Sequence, residues 1–329
     1  MTDYQWPSNH CLPSSFKSAM TTSLRKQDLT TKKIESFFED EFNVNVVLVP
    51  SGRAAISLLL KHHKIGRSHS CYSPPFSSFC VWEAIGRHCN PTIQFNEKVD
   101  VALAVHKWAE VYKLPKKSKA LVIEDSVDSI FKDSSSLFPN NGQYELISLP
   151  KTIGTYSGGL ILIRNKQLTT TLREGLKGNI ELGIYQSRLK YLSAKKLNAK
   201  YSDWSLMEHL NTSIDENGLN NISTNLKNYT LNRSLILERI ERLSGVNHLL
   251  NKIANTSLKK GRCPSVLTIP MKFIQKQAVT TDFMIRNKSS HFRFENLEFS
   301  PHLLLPLHLG ISNRRFNLYL NQLQKIMLG

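Results

Sequence analysis

Short apolar runs bounded by turn residues recur through the first half of the chain, and that recurrence limits the fold more than any other feature. The run Val46-Val47-Leu48-Val49-Pro50 is the first. Others lie near residues 69–73, 91–95, 101–105, 120–124, 145–149 and 159–164. Each is too short for a buried helix and reads as a strand. Between several of them stand helical patterns. Residues 30–44 place Ile34, Phe37, Phe38 and Phe42 on one face, and Ala54 to about His63 follows as a strong helix. Further helices are expected over 76–88 and 106–113. Strands alternating with helices predict an α/β layer with a mainly parallel sheet flanked by helices.

The character changes after about residue 166. Residues 167–260 are polar, mostly helical and rich in Asn, Lys and Leu, and Leu226 to Leu250 reads as one long helix or two. A smaller α+β portion follows, with Val266 to Met271, then Phe292-Arg293-Phe294, then a terminal helix from Asn313 to Met327. A chain of 329 residues can bury more than one core. The division expected is a large α/β domain over 1–185 and a helical segment with a small C-terminal α+β domain over 186–329.

The net charge of +17 suits an anionic small substrate, nucleic acid or a membrane surface. Basic residues are scattered, however, and clusters such as Lys116-Lys117, Lys195-Lys196 and Lys259-Lys260 never grow into a tail. With no nucleic-acid motif beside them, neither a nucleic-acid nor a membrane partner is expected. The five cysteines form no CxxC pair and match no zinc spacing, so no metal site is expected. Reduced thiols, an N-terminus unlike a signal peptide and the lack of a membrane-length apolar run point to the cytoplasm.

Chemistry concentrates around Lys151. Upstream, Val122-Ile123-Glu124-Asp125 is an apolar run ending in two carboxylates. Downstream, Thr152 to Gly159 is a small-residue turn leading into Leu160-Ile161-Leu162-Ile163. An aspartate at a buried strand end and a lone lysine before a Gly-Gly turn suit pyridoxal 5'-phosphate (PLP): the lysine forms a Schiff base with the aldehyde and the carboxylate keeps the pyridine nitrogen protonated. Taken alone, Asp125 reads as a helix N-cap or surface turn; the lysine downstream tips it toward function. Lys151 sits where burial would strip an amine of its charge. Ser51-Gly52-Arg53-Ala54 joins a strand to a helix, and backbone N–H groups there form an anion site that Gly52 lets a phosphate approach. Phe79 is the aromatic chosen to stack on the cofactor ring. His106, at a strand end, contacts cofactor or substrate or is structural.

These segments resemble the DegT/DnrJ/StrS-type sugar aminotransferases, which are fold type I PLP enzymes. Ser51-Gly52-Arg53-Ala54-Ala55 is similar to the family's S-G-T-A-A phosphate turn, and Pro75 to Phe79 to its P-x-x-T-F/W segment. Val105-His106 resembles its V-H strand end, and Val122 to Asp125 its V-I-E-D. Lys151 and Gly158-Gly159 have the spacing of K-N-x-x-x-G-E-G-G, and Leu305 to Ser312 resembles L-P-L-H-P-x-L-S. The resemblance runs from about residue 30 to the C-terminus.

It implies a homodimeric aminotransferase in which Lys151 carries PLP and Asp125 pairs with the ring nitrogen. The donor would be an amino acid such as glutamate, the acceptor a nucleotide-linked keto sugar, and the product a precursor of surface polysaccharide or glycoconjugate. His308 takes a substrate-contact or a structural place. Several positions depart from the family. Arg53 replaces a small threonine. Asp128 stands where Gln or His lies near the cofactor's phenolic oxygen, and an anion there disfavours the phenolate. Ser157 replaces Glu. Leu146 occupies the usual phosphate-serine position, with Ser148 as the substitute. Asn220, in Gly218 to Ser223, is the nearest counterpart of a loop that reaches the partner subunit's phosphate site. The departures leave a non-catalytic PLP- or sugar-nucleotide-binding homologue as the alternative. Related dehydratases carry histidine at the Lys151 position, which argues against that reading.

Overall fold

A computed structural model describes residues 25–115, 119–155, 157–176, 214, 216–274, 284–287 and 301–327. Helix α1 spans Arg25–Phe42 and leads into strand β1, Asn45–Val49. Helix α2, Gly52–His62, strand β2, Ser70–Tyr72, helix α3, Phe79–Gly86, and strand β3, Asn90–Thr92, follow. Next come β4, Val101–Val105, β5, Leu121–Asp125, β6, Ser129–Phe131, and β7, Tyr144–Ser148. The short helix α4, Leu149–Thr152, then precedes β8, Gly159–Ile163, and α5, Gln167–Glu174. Helices α6, Glu216–Thr224, α7, Asn228–Ser244, and α8, His248–Leu258, lead to β9, Arg262–Pro264, and β10, Val266–Pro270. Strand β11, Met284–Asn287, strand β12, Pro301–Pro306, and helix α9, Asn313–Ile326, complete the described chain.

Seven strands form one sheet in the order β1-β8-β7-β5-β4-β2-β3. The five from β3 to β7 in that order run parallel. Strand β8 runs antiparallel to both its neighbours, β1 and β7. The parallel strands therefore end at one edge, where ligands bind in such sheets.

Alternation along the strands distributes their side chains to two cores. Val46, Leu48, Ile147, Leu160 and Leu162 face α1, α6, α7 and α9. Val47, Val49, Leu146, Ile161 and Ile163 face α2, α3 and α5. The first core joins the chain's ends, because Tyr229 of α7 packs edge-on against Phe38 and Phe42 of α1 at 5.7 and 5.4 Å. A three-stranded antiparallel sheet, β10-β12-β11, sits in the C-terminal part. The pair β6-β9 ties that part to the large sheet.

Beside this pair lies a buried polar knot. Arg262 donates to Glu145 Oε1 at 2.7 Å and to Ser126 Oγ at 2.7 Å, and its guanidinium lies 4.8 Å from the Phe131 ring. Arg262, Glu145 and Ser126 are fully buried.

The α/β expectation and most of the expected strands hold. The helix expected over 106–113 is instead a 3-10 turn at Lys107–Ala109, with Trp108 and Ala109 at φ of 53° and 63°. Local bonds compete with helix here: His106 Nδ1 accepts from Tyr112 N at 3.0 Å. The stretch 226–250 is two helices, broken at Gly245, and Asn247 Oδ1 accepts from Leu249 N at 2.8 Å to begin the second. Phe292-Arg293-Phe294 lies outside the described residues.

Candidate active site

Strand β5 delivers Asp125 to the ligand-binding edge, and the neighbouring β7 delivers Ser148, after which α4 carries Lys151 outward. Lys151 Nζ donates to Asp128 Oδ1 at 2.6 Å. The side chains are 29% and 11% exposed, so this pair is shielded yet reachable. Burial pulls the Lys151 pKa down, but the charge and hydrogen bond of Asp128, with lesser help from Cys80 and Asp125, outweigh it and hold the amine above its usual range. The neutral amine expected from burial alone is thus corrected: a carboxylate at 2.6 Å keeps Lys151 charged.

Asp125 is 2% exposed. Burial pushes its pKa up to about 6, opposed by the Lys151 charge, aided by the Asp128 charge and opposed again by the Val127 N–H. Two carboxylates of different environment and one amine therefore share the strand edge.

The phosphate turn lies alongside. Ser51 caps α2, its Oγ accepting from Ala54 N at 3.1 Å. A Cβ on Gly159 would stand 2.9 Å from Ser51 C and 3.1 Å from Gly52 N, so β8 passes directly under the turn. One on Gly52 would meet Val127 Cγ1 at 3.0 Å, which sets the turn against the loop after Asp125. Ser148 pairs in register with Gly159 and makes no capping bond to α4. Ser51, Gly52 and Ala54 form the N-terminus of α2, and Ser148 lies on the strand beyond β8.

Arg53 departs from this group. Its guanidinium lies 3.7 Å from Glu83 of α3, which also pairs with Arg87 at 2.8 Å. Its charge is therefore turned toward α3. Phe79 opens α3 with its ring 48% exposed, and the next residue, Cys80, lies within the electrostatic reach of Lys151.

Two expected site residues, His106 and His308, are fully buried, and a third, Asn220, is half-buried. His106 is fully buried, bonded through Nε2 to Glu124 at 2.9 Å and through Nδ1 to Tyr112 N at 3.0 Å. His308 is fully buried, with Nδ1 accepting from Gly310 N at 3.2 Å. Asn220 lies within helix α6, not a loop, because Leu219 and Ile222 turn into the first core and impose helical spacing.

Sequence reasoning missed the brace behind Lys151. Asn232 Nδ2 donates to Thr152 O at 2.6 Å and its Oδ1 accepts from Leu309 N at 2.8 Å. One turn earlier, Asn228 Nδ2 donates to Ile153 O at 3.2 Å. Arg239, further along α7, donates to Leu307 O, His308 O and Ile311 O at 3.0, 2.8 and 2.5 Å. An Asn pair at i, i+4 on a helix was the available signal, but such pairs are common on solvated faces.

The donor set fits PLP: an amine for the aldehyde, a buried carboxylate for the ring nitrogen, and a capped helix N-terminus for the phosphate. Fold and site define a PLP-dependent aminotransferase of fold type I. The chain belongs to the family described as "Putative PLP-dependent aminotransferase", whose profile matches residues 34–326. Solved structures share the fold. A DegT DnrJ EryC1 StrS aminotransferase from Brucella abortus is 14% identical with a TM-score of 0.61, covering 90% of each chain. An aminotransferase from Psychrobacter cryohalolentis is 11% identical with a TM-score of 0.62, covering 93% of this chain and 97% of its own. The structure of DesI in the presence of its TDP-sugar product is 10% identical with a TM-score of 0.59, covering 90% of this chain and 84% of its own. No curated protein matches the sequence.

Proposed function

We propose that this enzyme moves an amino group from glutamate to a keto sugar carried on a nucleotide, for surface polysaccharide or glycoconjugate synthesis. The observation that carries the reading is the meeting of Lys151, Asp125 and Asp128 at one strand edge, beside the capped N-terminus of α2. PLP, when bound, supplies the electron sink for the carbon that gains or loses the amine. Lys151 anchors the cofactor and then carries the proton between the reacting carbons. Asp125 would keep the ring nitrogen protonated, and Asp128 stands where the cofactor's phenolic oxygen would be met. The α2 turn and Ser148 hold the phosphate, and Phe79 covers a face of the ring. His106 and His308 support these groups from within the fold, and Asn220 is proposed to reach the cofactor phosphate of the partner subunit.

Support for a nucleotide-linked acceptor comes from the positive field of a chain with net charge +17 and from the TDP-sugar product present with DesI. A homodimer working in the cytoplasm accompanies this reading. No helix among the described residues is long and apolar enough to cross a membrane.

The test is a visible spectrum of the purified protein with PLP, before and after glutamate. The wild type should show a protein-bound band that fades on adding glutamate, and Lys151→Ala should show no covalent band. A band of equal strength in Lys151→Ala would overturn the assignment; a wild-type band indifferent to glutamate would overturn the donor.

A further inference from the structure

Among the charged groups at the strand edge, Asp128 is the one whose presence the expected chemistry does not require. Each of its oxygens faces a donor. Asp128 is 8% exposed, and its Oδ1 accepts from Lys151 Nζ at 2.6 Å. Its Oδ2 faces Trp108 N at 3.5 Å, a long contact delivered by the left-handed turn at Trp108. The carboxylate is therefore fixed between a backbone N–H and the ammonium.

We propose that Asp128 sets the charge of Lys151: it stores Lys151 as an ammonium, aims it at the strand edge, and must be overcome or protonated before the amine can react. Asp128 is on this account a positioning residue acting through Lys151, and the inference rests on the reading of Lys151 as the cofactor-binding lysine.

Three titratable groups among the described residues act on Lys151. Asp128 lies in the turn after β5, Asp125 at the end of β5, and Cys80 in the first turn of α3. Asp125 ends a strand and is almost fully buried, so its carboxyl is a poor counter-ion over the range where it takes up a proton. Of these three, Asp128 acts most strongly on the amine. Only a neutral amine condenses with an aldehyde: the nitrogen lone pair attacks the carbonyl carbon, water leaves, and C=N remains. The ammonium's third proton must first pass to Asp128 or to water. Asparagine at 128 keeps the shape and removes the charge, so it should leave Lys151 a stronger nucleophile near neutral pH.

The experiment uses the full-length, cofactor-free protein. Wild type and Asp128→Asn are labelled across a pH series with trace acetic anhydride, and acetylation is quantified peptide by peptide by mass spectrometry. In Asp128→Asn the pH midpoint for Lys151 should fall by at least one unit, while midpoints of solvent-exposed lysines stay put. Below the wild-type midpoint this makes Lys151 about tenfold more reactive. An unchanged midpoint overturns the proposal. If Asp128→Asn does not fold, as judged by circular dichroism, the wild type decides: a Lys151 midpoint above those of exposed lysines in the same digest supports the proposal, and one at or below them overturns it. Adding PLP separates the two readings. A wild-type visible band without a midpoint shift sinks the role of Asp128 alone. A midpoint shift without any band sinks the assignment of Lys151 as the cofactor lysine, and leaves the charge control by Asp128 standing.

Discussion

A buried acid that lacks a full counter-charge is a standing strain on the fold, and Asp125 is such a group. Its folded pKa, about 6, lies above the ordinary aspartate value of 3.8. Below the lower value both states are protonated and nothing is lost. Between the two, the unfolded chain ionises while the folded one keeps its proton, so stability falls as pH rises. Above about 6 the loss is complete, at roughly 3 kcal/mol for a shift of this size. Asp125→Asn in the cofactor-free protein should therefore melt higher than wild type at pH 8 and with it at pH 3.5. Thermal melts at the two pH values check this; equal stability at pH 8 would mean that Asp125 is already neutralised by a partner. The strain is the kind that a protonated ring nitrogen would relieve. At this scale the sequence was informative about Lys151 and Asp125, because strand ends and Gly-Gly turns leave a pattern. It did not reveal that Asp128 grips the amine or that Arg53 turns to Glu83, since rotamers leave none.

The element that matters most is the four-residue α4, too short to hold itself. It is held from outside by α7, whose Asn228 and Asn232 take the carbonyls of Ile153 and Thr152. Asn232 is fully buried and also caps Leu309 N. Asn232→Ala leaves a carbonyl and an N–H without these partners, and should cost about 2–6 kcal/mol, at about 1–3 for each group. Urea denaturation measures it; a loss below 1 kcal/mol would show that α4 is secured by packing alone. The terminal helix and the strands β1, β4, β5, β7 and β8 were readable because their apolar periods are regular. The three-residue strands β6 and β9 were not: each exists only through its partner, with Ile130 paired to Cys263. The 106–113 stretch misled for a related reason, since the imidazole of His106 captures the N–H of Tyr112.

At the scale of the whole molecule, packing joins segments that are far apart along the chain. Helix α1 shares its core with α7 and α9, and Arg262 from β9 reaches Glu145 on β7. Removing one partner of a buried ion pair leaves the other charge uncompensated, a loss of about 3–5 kcal/mol. Arg262→Met should be destabilised by that amount, and Glu145→Gln added to it should restore a part. Guanidinium unfolding of the two variants is the measurement; a double variant no better than the single would mean that Glu145 is not the group left stranded.

The antiparallel strand β8 has a consequence for how the protein is made. Val49 pairs with Gly159, 110 positions further along, so among the described strands β1 has no partner until β8 has been synthesised. At bacterial or eukaryotic translation speeds that interval is on the order of 10 s. Through it the nascent chain carries Asn45–Val49, an almost wholly apolar strand, with an open edge and with α1 still waiting for Tyr229. The turn that will cradle a phosphate is written early, next to that strand, but takes its final shape only when Gly159 slides beneath it. Until then the apolar edge of β1 has no strand to pair with.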